Sequence, residues 1–249
     1  MDMDNNYDAF DNYAMKYDLN EQMIANKYNH TYRVIKECKN ICKSLNLDEE
    51  DTYLSELTGL LHDIGRFEQW TKYQTFKDYK SFDHADYAVK LLFEDGLIKE
   101  YDIEEEYYEI IKKAIKYHNK YKIEECDETE EFFTKIVRDA DKLDIFNSFS
   151  NKNLLGLNNN EDDTIGEEYK KIFYEHKSIK RINDINVNEK VIMILAMVYD
   201  LNFDYSKERI LSEKYIDNMY KQIKNKKMFK EYFDEIKKYL KGSDKNVEC

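Results

Sequence analysis

The chain holds only five histidines, His30, His62, His84, His118 and His176. By hydropathy pattern, four of them fall at or near the ends of separate helical segments. They keep company with Asp63 and with the cluster Asp139, Asp141 and Asp144. Imidazole and carboxylate together suit a borderline or moderately hard divalent cation such as Mn, Fe, Co or Zn. The adjacent pair His62-Asp63 anchors this reading. Neighbouring residues on a helix point about 100° apart, so the pair grips one ion only at a helix end, or bridges two. Gly65, just after it, is expected to supply that helix end. His176 stands outside the series and reads as a hydrogen-bonded core residue.

The elements that must position these groups are predicted to be helices throughout. The chain has six Gly and no Pro, too few turn formers for most all-β folds. From Glu21 to Leu47, Ile24, Tyr28, Val34, Ile35, Cys38, Ile41 and Cys42 recur at helical spacing. The acidic cluster 48–51 opens a second helix carrying Leu54, Leu57, Leu60 and Leu61, and Gly65 stops it. Residues 66–82 read as a loop. Asp83 with Asp86 opens a short helix running towards Gly96, and longer helices follow over about 103–118 and 130–149. The Asn- and Asp-rich stretch 151–166 is the best break, followed by helices around 167–178, 187–201 and 213–241. Nothing alternates as a strand would, so the fold class is all-α. The expected organisation is a lead-in over 1–20, a metal-binding helical domain over 21–150, and a helical extension of the same domain over 151–249.

Charge and composition narrow the partners. There are 39 Lys and Arg against 52 Asp and Glu, a net charge of −13, which repels a nucleic-acid backbone and argues against broad nucleic-acid binding. A small anionic substrate is admitted only where metal ions or a local positive cluster reverse the field. The Lys-rich run 221–230 has Glu and Asp close by and reads as a solvated helix face. The longest apolar run, 191–199, is too short for a membrane span, and the acidic start is no signal peptide. Cys38 and Cys42 lie one helical turn apart and are expected to pack rather than react. With no C-x-x-C pair, a reducing cytoplasm is the expected setting.

The ordered series His30, then Leu60-Leu61-His62-Asp63-Ile64-Gly65, then His84, His118 and Arg138-Asp139-Ala140-Asp141-Lys142-Leu143-Asp144 resembles the HD-domain metallohydrolase superfamily. The resemblance covers about residues 25–150 and implies an all-helical HD-domain bundle with a C-terminal helical extension packed on it. It implies a first-metal set of His30, His62, Asp63 and a late Asp, with His84 and His118 as the further ligands of two-metal members and Asp63 bridging. The Ala-Asp-x-Leu pattern favours Asp141 as the late ligand, and Asp139 is its rival. Arg66 stands where many members carry Lys, and the resemblance gives it a phosphate oxygen to hold, against a salt bridge to Glu68 as the plain alternative. Lys142 is a weaker phosphate contact and Glu68 a weaker proton-transfer candidate. Trp70, Tyr73, Phe76 and Tyr79 floor the pocket or simply pack the loop.

The activity so implied is metal-dependent hydrolysis of a phosphate mono- or diester, of a nucleotide-like small molecule, by metal-activated hydroxide. The cofactors are one or two divalent ions, Mn, Fe, Co, Zn or Mg. His118 is followed by Asn119 rather than a second His, and no Gly-Tyr-Pro motif exists, which argues against a cyclic dinucleotide substrate. The continuation Gly65-Arg66-Phe67-Glu68-Gln69-Trp70 is similar to that of a bacterial subgroup of HD proteins. Two other activities fit the ligand series. One is a di-iron oxygenase, as in myo-inositol oxygenase, and the other a non-catalytic nucleotide sensor.

Overall fold

A computed structural model describes residues 3–151, 164–180 and 185–243. Every regular element among them is helical, and none is a strand. The chain divides into two compact units, 1–141 and 142–249.

The first unit is built on the pair α2 (Gln22–Ser44) and α3 (Glu49–Leu61), which pack along each other. The Glu21 carboxylate caps α2 by accepting from the amides of Met23 and Ile24 at 2.9 and 3.0 Å. Asp48 caps α3 by accepting from the Asp51 amide, and Glu49, Glu50 and Asp51 complement the positive helix end. Both helices bury their predicted stripes, including Val34, Ile41, Leu57 and Leu60. The contact is close because α3 carries Gly59 against Cys38: a Cβ there would lie 2.9 Å from the Cys38 Sγ. Cys38 and Cys42 are fully buried in this seam, and burial pushes both thiols up, Cys42 to about 11. Neither is a thiolate at neutral pH, in keeping with packing rather than reaction.

Two stretches depart from the sequence reading. Gly65 does not end a helix but begins one, α4 (Gly65–Tyr73), in the stretch expected to be a loop. Residues 4–14 form a helix, α1, that the sequence reading did not anticipate. The two explain each other. Phe67 of α4 is completely buried, with its ring 5.9, 6.0 and 5.5 Å from those of Phe10, Tyr13 and Tyr17. Neither segment has enough apolar surface to be read as a core helix alone. Together they bury an aromatic cluster.

α5 (His84–Val89) is capped as expected by Asp83, which accepts from the amides of Ala85 and Asp86. It runs on through one wider turn to Asp95, and Gly96 then takes a positive φ of 84°. α6 (Tyr108–Tyr117) starts later than its expected residue 103, and α7 (Glu128–Asn151) reaches past the first unit's last residue, Asp141.

The second unit has its own core, in which Phe173, Val191, Leu195, Met219, Phe233 and Leu240 are buried. Its helices are α8 (Glu167–Tyr174), α9 (Val187–Ala196), α10 (Asp204–Ser212), α11 (Tyr215–Gln222) and α12 (Lys226–Ser243). The single helix expected over 213–241 is split, because Ile223 turns extended and buries its side chain between α11 and α12. Most of the expected break at 151–166 lies outside the described residues. In the Lys-rich run, Lys221, Lys224, Lys226, Lys227 and Lys230 are exposed, as a solvated face requires. His176 is not a core residue: its ring is exposed, stacks on Tyr199, and lies 2.9 Å from the Glu235 carboxylate. Among the described residues no helix is long and apolar enough to cross a membrane.

Candidate metal centre

Five side chains converge inside the first unit from the ends or inner faces of four helices. α2 contributes His30, α3 ends on His62 with Asp63 next in chain, α5 begins with His84, and α6 runs out at His118. All five are buried. They form two groups that share Asp63: His30–His62–Asp63 and Asp63–His84–His118, the donor atoms of each lying within 4.8 Å of one another. In the first group Asp63 Oδ2 is 3.4 Å from His30 Nε2 and 3.7 Å from His62 Nε2. In the second, Asp63 Oδ1 is 3.2 Å from His84 Nε2 and 3.8 Å from His118 Nε2. The two oxygens of one carboxylate thus address different histidine pairs. Asp141 lies beside the first group, its Oδ1 3.2 Å from His30 Nε2, but is not drawn into either group. Its rival Asp139 is fully buried one step away on α7.

The ring orientations are fixed from behind. His62 Nδ1 lies 2.7 Å from the Gly59 carbonyl and His118 Nδ1 lies 2.7 Å from the Ile115 carbonyl. A carbonyl only accepts, so each Nδ1 carries the proton and each Nε2 keeps its lone pair for the centre. His84 Nδ1 donates in the same way to Asp78, at 2.9 Å. Asp78 is itself held by Arg66 Nη1 and by Gln69 Nε2, both at 2.9 Å. Gln69 is completely buried and also donates to Ser81 Oγ and the Phe82 carbonyl, while its Oε1 accepts from Arg66. Such carboxylate–imidazole pairs are what orients metal-binding histidines. Asp78 and Gln69 were not singled out from sequence. Their only signal is a polar pair near His84, and that becomes legible only once the 74–83 turn is folded.

The charge state suits cations. Burial pushes His62, His84 and His118 down, and the neighbouring rings of His84 and His62 help carry His118 to about 3. Burial alone would raise Asp63, but the charges of Lys27 and Arg66 hold its carboxyl well below the usual range. Asp141 is likewise held low against its burial by the hydrogen bond and charge of His30. At neutral pH His62, His84 and His118 are therefore neutral and Asp63 and Asp141 ionised, the states that ligate metals. The donors are all N and O, with no thiolate, which fits Mn, Fe, Co or Zn. The residues present fit one or two divalent ions. The third acidic group, Asp78–Asp83–His84, is already committed: Asp78 to Arg66 and Gln69, Asp83 to the α5 cap and to Lys120 at 2.6 Å.

These shifts predict how the metal-free protein responds to acid. His118 binds its proton near 3 in the fold but at the ordinary 6.5 when free, so between those values the unfolded chain holds more protons. Stability then rises with pH through that window, and His62 and His84 act in the same direction. Thermal melts of chelator-stripped protein should show Tm falling steadily as pH drops from 7 to 5. A flat or rising Tm would mean the rings are not buried in their neutral form.

The other residues singled out from sequence have clear positions. Arg66 is buried and does not pair with Glu68, which accepts instead from Tyr17 and Lys72. Its Nη1 donates to Gln69, the Phe76 carbonyl and Asp78, while its Nε lies 3.4 Å from Asp63 Oδ1. Lys142 belongs to the second unit, where its Nζ is 2.7 Å from the Asp200 carboxylate. Trp70 packs on Phe76 with ring centroids 5.0 Å apart, and Tyr73 and Tyr79 are exposed. A residue the sequence reading passed over lies closer to the centre than any of these: Lys27 Nζ is 2.6 Å from Asp63 Oδ2. It sits one helical turn before His30, on the same face of α2.

Among curated proteins and solved structures the chain finds no significant match. The family model of the HD domain matches residues 28–145, a span that contains His30, His62, Asp63, His84, His118 and Asp141. HD domains define a superfamily of metal-dependent hydrolases, and the buried His and Asp groups here are compatible with divalent ions. Residues 28–145, just under half of the chain, match the HD-domain family.

Proposed function

We propose that the protein is a phosphohydrolase that cleaves a phosphate mono- or diester of a nucleotide-like small molecule, using two divalent ions. The observation that carries this reading is the split of Asp63, with Oδ2 towards His30 and His62 and Oδ1 towards His84 and His118. We assign His30, His62, Asp63 and Asp141 to one ion, and Asp63, His84 and His118 to the other. When bound, such ions supply Lewis-acid charge to phosphoryl oxygens and acidify a water for attack at neutral pH.

The chain's own residues set the stage for that chemistry. Asp63 fixes the spacing of the two groups. The Gly59 and Ile115 carbonyls and Asp78 lock the rings, so that little reorganisation is needed as charge develops. Arg66 holds Asp78 against His84 and keeps a positive charge beside Asp63. Charge concentrated here also explains how a chain of net −13 admits an anion. Lys142, weighed for a phosphate contact, instead has its charge balanced by Asp200. The free cysteines Cys38, Cys42 and Cys126, with no membrane-crossing helix among the described residues, support a cytoplasmic setting.

The test is metal analysis of protein purified without chelator, followed by chromatography of a panel of nucleotides, sugar phosphates and phosphodiesters for orthophosphate from a monoester or a monoester from a diester. About two ions per chain with hydrolysis of a mono- or diester are expected. A nitrogen–oxygen donor set with a bridging carboxylate also holds iron, so oxygen uptake is followed in parallel. Oxygen consumption without hydrolysis of any ester, or tight nucleotide binding without turnover by the loaded protein, would overturn the proposal.

A further inference from the structure

The hydrolase reading leaves open which side chain meets the substrate's phosphoryl group. Arg66 is less accessible than Lys27, its side chain being 9% against 20% exposed, and its Nη1 is engaged with Gln69, the Phe76 carbonyl and Asp78. Moving it would release Asp78, and with it the ring of His84. Lys27 has no such duty. Its ammonium makes one short ion pair, 2.6 Å to Asp63 Oδ2, and lies 5.4 Å from the centre of the Phe76 ring.

Exposure shows where a substrate would enter. The side chains of Lys27 and Asp141 are 20% and 18% exposed, whereas those of His30, His62, Asp63, His84 and His118 are 9% or less. Lys27 and Asp141 thus line an opening beside the first group. Asp141 repels an anion there, and Lys27 attracts one.

From this placement we infer that Lys27 is the substrate-binding cation of the site, exchanging its ion pair with Asp63 for one with a phosphoryl oxygen. The inference rests on the hydrolase reading. The oxygen Lys27 neutralises, Oδ2, is the one turned towards His30 and His62, so the ammonium stands beside the first histidine group. Cations at the two histidine groups would satisfy Asp63 and repel the ammonium. A lysine stem is long and flexible enough to turn the charge outward without moving α2. Phe76 gives both positions a common wall, since its ring also lies 5.6 Å from the Arg66 guanidinium carbon.

The test compares wild type, Lys27→Met and Lys27→Arg, each loaded with Mn, by metal analysis and by calorimetric titration with inorganic phosphate. Lys27→Met should keep its Mn content and bind phosphate about tenfold more weakly or worse, the scale of one charged hydrogen bond. Lys27→Arg should recover most of the affinity. In turnover, the Met variant should raise KM more than it lowers kcat. Unchanged phosphate affinity in Lys27→Met, or loss of Mn from it, would overturn the role of Lys27 while leaving the hydrolase reading intact. Wild-type protein that holds Mn but takes up no phosphate would bring down both.

Discussion

Asp63→Asn should leave a folded protein that holds almost no metal and hydrolyses its ester at least about a thousandfold more slowly, a loss of about 4 kcal/mol of transition-state stabilisation. The amide is nearly the same size as the carboxylate, so packing beside His30, His62, His84 and His118 is preserved. What changes is chemistry. One of the two positions now facing the histidine pairs becomes an NH2 group, which donates rather than accepts and repels a cation. The negative charge that balances Lys27 and Arg66 also disappears. Because both histidine groups share this one carboxylate, both should lose their ion together. His84→Ala provides the contrast, since it removes a donor from only one group and should leave about one ion behind. Metal content by mass spectrometry, with circular dichroism as the check on folding, reads both variants. Retention of two ions by Asp63→Asn would show that Asp63 does not bridge.

The convergence of His30, His62, Asp63, His84 and His118 was legible in the sequence because histidine is rare in this chain. Few residue types compete for such positions, and His62-Asp63 next to each other at a helix end constrains the geometry strongly. The all-helical fold was legible for a different reason: α2 and α3 each bury a continuous apolar stripe, and Pro is absent. What stayed hidden depends on partners distant in sequence. α4 could not be seen in residues 66–73 because its one large apolar anchor, Phe67, needs Phe10 and Tyr13 of α1 to bury it. Lys27 is one of 39 basic residues, and nothing local separates it from a solvated lysine. Its proximity to Asp63 arises only when α2 and the end of α3 are packed side by side. Asp78 and Gln69 were hidden in the same way, since their value lies in holding one ring nitrogen of His84.

Gly65 shows most sharply how a residue is legible in type but not in role. The sequence reading took it for a helix stop, whereas it is the first residue of α4, and its φ is not in the left-handed region. Helix propensity alone would then make Gly65→Ala stabilising, by about 0.5–1 kcal/mol. The packing says otherwise. A Cβ at this position would sit 2.6 Å from the backbone carbonyl oxygen of His84 and 3.3 Å from the Ala88 amide nitrogen. Neither is the loose end of a flexible side chain, so α5 as a whole would have to back away from α4. Overpacking of this kind costs about 1–3 kcal/mol, occasionally more, and here it outweighs the propensity gain. We therefore expect Gly65→Ala to be destabilised by a net ~2 kcal/mol in chemical denaturation. The displacement also acts on the centre, because α5 begins with His84 itself. Carrying His84 away from Asp63 Oδ1 should empty the His84–His118 group first, leaving the His30–His62 group loaded. The variant should thus resemble His84→Ala in metal content while keeping every donor atom. A Gly65→Ala protein with unchanged stability and two ions would mean that the approach of α4 to α5 is not what the glycine is for.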